Sequence, residues 1–298
     1  MEKVLSPFIY FHMKKTATLL VFGAVVISSM AANISETLYI NRGQFMTSDS
    51  STFSYTAFNR SSVFEQENAR LVADVNDNFD IKVINNDSIV HGFDIKGYAG
   101  VSNTIQPGDS IIVACSFSSE SVFIYYDNLN YPTNAYMGLA SMIVVSSNQH
   151  SKFYWNIKEH EKQFNDTISS GYAVDWQEYY PDYFTINSKS NPDINTDIDA
   201  RITGNIGDTI DIYMINTGQS IHSIHYHGYH SEIIHSSKFP HHQGRLKDTF
   251  AVYPMEIVRL QMVPDQEGEY PVHDHNLVAV SGGNIYPNGM FLTILIQQ

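Results

Sequence analysis

The sequence predicts an all-β protein built from two tandem β-sandwich domains. Short runs rich in Val, Ile, Tyr and Phe recur between Gly, Asn, Asp and Pro residues, and helical periodicity is scarce. The clearest of these runs are 79–84, 110–115, 122–126, 209–215, 256–263 and 290–296. With 298 residues, the chain is long enough for about two domains of the usual size.

An internal repeat indicates that the two domains are copies of one another. Residues 84–98 align without a gap on residues 215–229, and residues 125–129 align further on with residues 273–277. Two matches in the same order predict one fold used twice. The predicted boundaries are a first domain at 37–150, a linker at 151–180, either plain or with strands of its own, and a second domain at 181–298.

The N-terminus is typical of an export signal. Lys14 and Lys15 precede an apolar run over 17–30, and small residues suited to cleavage extend to Ala32. We predict a signal peptide at 1–32 and a folded part outside the cytoplasm, secreted or attached to the cell surface. The alternative is a retained membrane anchor, although the run is shorter than the roughly 20 residues of a membrane span.

Composition excludes several functions. The net charge of −14 argues against nucleic acid as a partner, because phosphates need a basic surface. The single cysteine, Cys115, rules out an intramolecular disulfide, and its place in an apolar run predicts a buried, inert thiol. The sequence contains no glycine-rich phosphate loop, no Gly-x-Ser-x-Gly motif and no Cys-x-x-Cys pair.

Histidines concentrate in the second copy of the repeat. Nine of the 13 lie between His222 and His275. In a strand, residues i and i+2 point to the same face, so His225 converges with His227, and His273 with His275. If the two strands adjoin, four imidazoles meet on one surface. Imidazole is the commonest ligand for copper and zinc, so these four residues are the predicted metal ligands.

The alignment of the repeats places no histidine at the matching positions of the first copy. Asp94 and Lys96 correspond there to the first histidine pair, and Tyr125 and Asp127 correspond to the second. One hypothesis is that the Lys96 ammonium lies near Asp127, where a fixed cation would replace a metal.

The pattern leaves alternative roles for the other polar residues around the cluster. His222 is either a fifth ligand or the partner of a structural hydrogen bond, because the first copy has His91 at the same place. Asp274 is interpreted as a proton donor or a group that supports the ligands. The remaining histidines of the region are predicted to be solvated: His230, His235, His241 and His242.

Several segments resemble multicopper oxidases. Residues 222–228 resemble their His-x-x-His-x-His-Gly motif, and residues 270–275 resemble their C-terminal His-Cys-His segment. Further similarities lie in Gly289-Met290, in Phe184-Thr185-Ile186-Asn187 and in the Asp-Thr-Val-x-Val-x-Pro-like segment at 248–254. The first copy resembles the N-terminal domain of two-domain laccases and copper nitrite reductases. The resemblance implies two cupredoxin-like Greek-key sandwiches, copper as cofactor with zinc as the alternative, and a homotrimer with metal sites between subunits.

Departures from that family limit the copper sites that can be expected. Asp274 stands where the family has the cysteine that binds type 1 copper, and Ala279 stands where a further histidine follows. A type 1 site needs a thiolate, so no blue copper centre is expected. The resemblance also implies a trinuclear cluster of eight histidines, four from each domain, of which this chain supplies the second domain's half.

Three functions remain open from the sequence. The first is a copper-dependent oxidoreductase that binds a small substrate such as oxygen or nitrite at the histidines. The second is a non-catalytic protein that stores, delivers or senses copper outside the cell. The third is a structural metal site, with zinc, that joins subunits.

Overall fold

The computed structural model describes residues 31–101 and 103–298, and these residues form one compact unit from Ala31. The predicted signal peptide therefore lies almost wholly outside the described residues. The strands of the first half are β1 (Asn33–Met46), β2 (Thr52–Asn59), β3 (Leu71–Ala73), β4 (Asn78–Asn85), β5 (His91–Ile95), β6 (Asn103–Ile105), β7 (Ser110–Ser116), β8 (Ser121–Tyr126) and β9 (Ala140–Val145).

The second half begins with a long strand inside the predicted linker. Its strands are β10 (Ser151–His160), β11 (Tyr183–Ile186), β12 (Thr203–Asn205), β13 (Ile210–Asn216), β14 (His222–Tyr226), β15 (Ser231–Ser236), β16 (Leu246–Lys247), β17 (Thr249–Val252), β18 (Ile257–Met262), β19 (Gly268–Asp274) and β20 (Phe291–Gln297). Two short helices complete the described part, α1 (Thr133–Tyr136) and α2 (Lys162–Ser169), with single 3₁₀ turns at 176–178, 193–196, 240–242 and 277–280.

The strands form two sandwiches, which confirms the all-β fold class. One sandwich consists of the sheet β2-β1-β4-β7 and the sheet β3-β9-β8-β5-β6. The other consists of the sheet β11-β10-β13-β18-β15-β16 and the sheet β12-β20-β19-β14-β17. In β4, exposed and buried residues alternate along Asn-Phe-Asp-Ile-Lys-Val-Ile-Asn. This alternation explains why such segments form strands with one face on a core.

Equivalent strands pair in the same way in both sandwiches. β1 runs parallel to β4 as β10 runs parallel to β13, and β3 runs parallel to β9 as β12 runs parallel to β20. The repeat therefore begins at β1 in one copy and at β10 in the other. Residues 151–160 of the predicted linker are thus a strand of the second sandwich, while the domain boundaries themselves stay a prediction.

The two sandwiches stack face to face through a shared apolar layer. In β13, Ile212 and Met214 face the second core, whereas Tyr213 and Ile215 face the first sandwich. Their partners across the layer come from β8 and β9, including Val144. Every residue of β13 is consequently buried, because the strand is covered on both faces.

No helix in the described ranges is long and apolar enough to span a membrane. The export prediction rests on residues outside those ranges and stays a prediction.

Candidate metal centre

The four predicted metal ligands meet on one face of the second sandwich. β14 and β19 are antiparallel neighbours, and His225 lies directly opposite His273. Along β14 the buried and less buried residues alternate, so His225 points outward while Ile224 and Tyr226 fill the core. His227 and His275 follow the two strands on the same outward face, and both are exposed. We call these four residues the four-histidine face.

The imidazoles of this face are in close contact. The His225 ring centroid lies 4.9 Å from that of His227, 5.7 Å from that of His273 and 5.4 Å from that of His275. The Nε2 atoms of His227 and His273 are 3.1 Å apart. The sequence therefore predicted correctly that these side chains come together.

The donor atoms fit a borderline metal ion, although they do not enclose one. Among the described residues, no three His, Cys, Asp or Glu side chains converge on one point as ligands do. Two nitrogens that each lie about 2.0–2.1 Å from one ion, at angles between square and tetrahedral, are about 2.8–3.4 Å apart. The 3.1 Å between the Nε2 atoms of His227 and His273 lies within that range. The face is thus an open half-site, in which two nitrogens are spaced as ligands of one ion are and no third joins them among the described residues.

Hydrogen bonds orient two of the rings. His225 Nδ1 lies 2.9 Å from the Thr249 hydroxyl, which in turn donates to Asp248 at 3.0 Å. His273 Nδ1 lies 2.9 Å from the carbonyl of Asp274. An Nδ1–H that donates in this way leaves the Nε2 lone pair for a metal, as in most protein metal sites.

Charge also favours metal binding at this face. Partial burial together with the neighbouring His225 and His273 lowers the pKa of His227 below its ordinary value. A lower pKa favours the neutral imidazole, which is the form that binds metals.

His222 lies on the opposite side of the sheet from the four-histidine face, so the geometry favours the structural hydrogen bond over the fifth ligand, the two roles predicted for it. It is three residues before His225, and an odd spacing in a strand reverses the side-chain direction. Its Nδ1 lies 2.6 Å from an Asp274 oxygen and its Nε2 lies 2.9 Å from a Glu159 oxygen. Both ring nitrogens are therefore occupied by carboxylates in the core.

Glu159, His222 and Asp274 form a buried charged chain. Burial alone would lower the pKa of His222, but the hydrogen bonds to Asp274 and Glu159 raise it to about 9. Burial would raise the pKa of Glu159, but His222 and the amides of Gln219 and Ser220 lower it to about 2. The chain is thus an imidazolium held between two carboxylates.

Asp274 does not serve the four-histidine face as a proton donor, and that interpretation is corrected. Its side chain is fully buried and accepts hydrogen bonds from His222 and from the amides of Ser223 and Asn276. Because Asp274 lies between His273 and His275, its side chain points to the other face of the strand. Its backbone carbonyl, by contrast, orients His273.

The first sandwich contains an equivalent chain, which corrects the alignment of the repeats. His91 lies between Asp87 and Asp127, at 2.8 Å and 2.7 Å. Asp94 pairs with Tyr126 as His225 pairs with His273, so Asp127 matches Asp274. The residues matching His273 and His275 are therefore Tyr126 and Asn128, one position later than the sequence alignment placed them.

The hypothesis that Lys96 lies near Asp127 is wrong. The Lys96 ammonium donates to the backbone carbonyl of Met255, in the turn between β17 and β18. Asp127 binds His91 instead. Lys96 thus joins the two sandwiches, and its ammonium does not take the place of a metal ion beside Asp127.

Sequence reasoning missed the buried polar residues of β10. Lys158, Glu159 and His160 are at most 3% exposed, and they lie in the segment that was predicted to be a linker. Three consecutive ionisable residues after the apolar run Phe153-Tyr154-Trp155 were the available signal. Burial lowers the pKa of Lys158 to about 7 and that of His160 to about 3.

The remaining histidines stay outside the four-histidine face. His230 and His235 are exposed, in agreement with the prediction. His241 and His242 lie in the 3₁₀ turn after Phe239, with their ring centroids 4.4 Å apart.

Comparisons with known proteins agree with this fold. Residues 173–295 match the family model described as multicopper oxidase. Ceruloplasmin from Rattus norvegicus is 25% identical over 169 residues, which are 51% of this chain and 15% of that protein. The chain thus spans about a seventh of the length of this relative.

Solved structures of copper proteins share the architecture. A blue copper oxidase from Nitrosomonas europaea superposes with a TM-score of 0.76 at 20% identity, covering 89% of this chain and 86% of the other. A copper nitrite reductase from Nitrosomonas europaea superposes with a TM-score of 0.69 at 14% identity, covering 89% and 94%. At these identities the likeness shows the fold, which is that of cupredoxin-like proteins.

Proposed function

We propose that this chain, which belongs to the superfamily of multicopper oxidases and copper nitrite reductases, is an exported copper-binding protein. The copper binds on the four-histidine face. The protein uses it for oxidation or reduction of a small molecule. The observation that carries the proposal is the pair of Nε2 atoms of His227 and His273, 3.1 Å apart on an exposed face.

Each residue of the site has a distinct task in this proposal. His225, His227, His273 and His275 hold the ion through ring nitrogens, and Thr249 fixes the ring of His225. Copper, when bound, supplies a redox centre and a Lewis acid for the substrate. The chain of Glu159, His222 and Asp274 ties β10, β14 and β19 together beneath the face.

The proposed chemistry proceeds without a type 1 centre. A blue copper site needs a cysteine thiolate beside two histidines. Cys115 is buried in the apolar core of the first sandwich, where burial raises the pKa of its thiol to about 11. Asp274 takes the position of the family's cysteine, and its carboxylate is occupied by His222 and two backbone amides.

Metal analysis of purified protein tests the proposal. We expect copper to bind the wild type with an electron spin resonance spectrum of nitrogen-ligated copper and without an intense thiolate-to-copper absorption band. Binding is lost in the double variant His227→Ala with His273→Ala. The matched control is His241→Ala with His242→Ala, which also removes two adjacent imidazoles. Equal copper content in both double variants contradicts the proposed site, and zinc in place of copper contradicts the proposed metal.

A second candidate is a non-catalytic protein that stores, delivers or senses copper. The buried ion chain favours it, because the position that carries the thiolate ligand of type 1 copper in the family holds Asp274 here. Oxygen or nitrite consumption in the presence of a phenolic or inorganic reductant separates the two. Turnover above that of the His227→Ala, His273→Ala variant supports an oxidoreductase, and bound copper without turnover supports the binding protein.

We also propose that a further copy of the chain covers the four-histidine face, in a homotrimer. Exposed apolar side chains flank the face: Leu277 is 68% exposed, Val278 51% and Ile221 49%. Such a patch beside an open half-site is typical of an interface. Light scattering of the wild type and of Leu277→Glu tests this, because a charged side chain in the interface should give monomers. A monomeric wild type contradicts it.

A further inference from the structure

A cavity lies at the edge of the second sandwich, and none of the four histidines lines it. Its volume is about 250 Å³. Ile233, Phe250 and Val258 form an apolar floor, and each is at most 5% exposed. Phe239 and Tyr253 add aromatic walls, with their ring centroids 5.1 Å apart. Apolar lining of this kind is typical of small-molecule sites, and this volume suits a single aromatic ring.

The loop over this cavity is cationic in an acidic protein. The whole chain has 31 Asp and Glu against 17 Lys and Arg. Residues 237–247, by contrast, contain Lys238, Arg245 and Lys247 and no acidic residue. Lys247 and the neighbouring His241 and His242 line the rim. The local charge therefore favours an anion at the mouth of the cavity, against the charge of the protein as a whole.

The acidic group that lines the cavity has both carboxylate oxygens hydrogen-bonded by its own surroundings. Glu256 is 1% exposed, and it accepts from the Ser236 hydroxyl at 2.6 Å and from the Tyr253 amide at 2.9 Å. Both carboxylate oxygens are thus held on the protein side. A ligand meets the apolar floor below and the Lys247 ammonium at the rim.

From this arrangement we infer that the cavity binds an aromatic monocarboxylate. The ring lies on Phe250, beside the paired rings of Phe239 and Tyr253, and the carboxylate faces Lys247 at the rim. This site is distinct from the four-histidine face and needs no metal, so it does not depend on the proposed function.

Isothermal titration calorimetry with benzoate, at low and at physiological salt, tests the inference. Benzamide and sulfate are the matched probes, since one keeps the ring and the other keeps only the charge. We expect benzoate to bind at least tenfold more tightly than either. In Lys247→Gln the affinity for benzoate falls by about threefold to fivefold, as expected for one partly solvated charge. Lys82 is an exposed lysine of the first sandwich, and in Lys82→Gln the affinity is unchanged.

Two further variants test whether benzoate occupies this cavity and not the four-histidine face. Ala251→Phe, at an exposed position on the cavity wall, fills the space and abolishes benzoate binding without changing the unfolding temperature. His227→Ala with His273→Ala leaves benzoate binding unchanged, whatever becomes of the copper site. Equal affinities for benzoate and benzamide, or for benzoate and sulfate, overturn the inference, as does undiminished binding by Ala251→Phe.

Discussion

Replacing Glu159 by Gln tests whether the buried charged chain stabilises the second sandwich. The substitution keeps the shape of the side chain and one oxygen for the amides of Gln219 and Ser220. Its new amide group then faces the Nε2–H of His222, so two donors oppose each other. His222 relieves this conflict by releasing its proton.

The loss of stability expected for Glu159→Gln follows from the raised pKa of His222. Its pKa is about 9 in the folded protein against an ordinary 6.5, a difference of roughly 2.5 units. At about 1.4 kcal/mol per unit, loss of the imidazolium destabilises the fold by about 3 kcal/mol at pH 6. This agrees with the roughly 3–5 kcal/mol measured when one partner of a buried ion pair is removed.

Thermal unfolding followed by circular dichroism measures the effect. In a chain of this size, about 3 kcal/mol corresponds to a fall in Tm of roughly 6–12 °C. Arg42→Gln is the matched control, because Arg42 occupies the place of Glu159 in the first copy and its side chain is 29% exposed. We expect a smaller loss there, about 1–2 kcal/mol. A loss below about 1 kcal/mol for Glu159→Gln would refute the argument for a stabilising chain.

The other predictions concern pH and the metal site. Because the folded-state pKa of His222 is raised, its contribution is complete below about pH 6.5 and is lost as pH rises to about 9, on the order of 3 kcal/mol. Lys158 acts oppositely, since its pKa is lowered to about 7 and stability rises with pH above that value. Urea unfolding of Lys158→Met between pH 7 and 9 should therefore show a steeper decline than the wild type; equal slopes would contradict this. Thr249→Val removes the nearer acceptor of the His225 Nδ1–H, at 2.9 Å, and leaves only the Asp248 carbonyl at 3.3 Å. Competition titration should show copper affinity about 10–100-fold lower, with Thr249→Ser close to wild type. Unchanged affinity in Thr249→Val would mean that His225 is not a ligand.

Local patterns predicted the fold class and the four-histidine face, because both depend on alternation within a strand. The same rule, applied to the spacing of three between His222 and His225, already separates these two residues onto opposite faces. The alignment error of one residue was harder to avoid, since only the pairing of Asp94 with Tyr126 fixes the register.

Contacts between residues far apart in the chain could not be predicted from the sequence. Glu159 reaches His222 from 63 positions away, and no local pattern identifies that partner. The strand that carries Glu159 lies in the predicted linker. Polar residues interrupt its alternation, although its last three residues are all buried. Which residues contact one another across strands and sheets becomes known only from the folded structure.

The apolar layer between the sandwiches has a consequence for how the molecule comes apart. Cutting the chain at residue 150 would leave Val122, Ile124 and Val144 of one fragment facing water, and Tyr213 and Ile215 of the other. Neither fragment is then a self-sufficient module, and each would tend to aggregate through its uncovered sheet. Melting should accordingly be a single calorimetric event, in which the four-histidine face is lost together with a sandwich that carries none of its histidines.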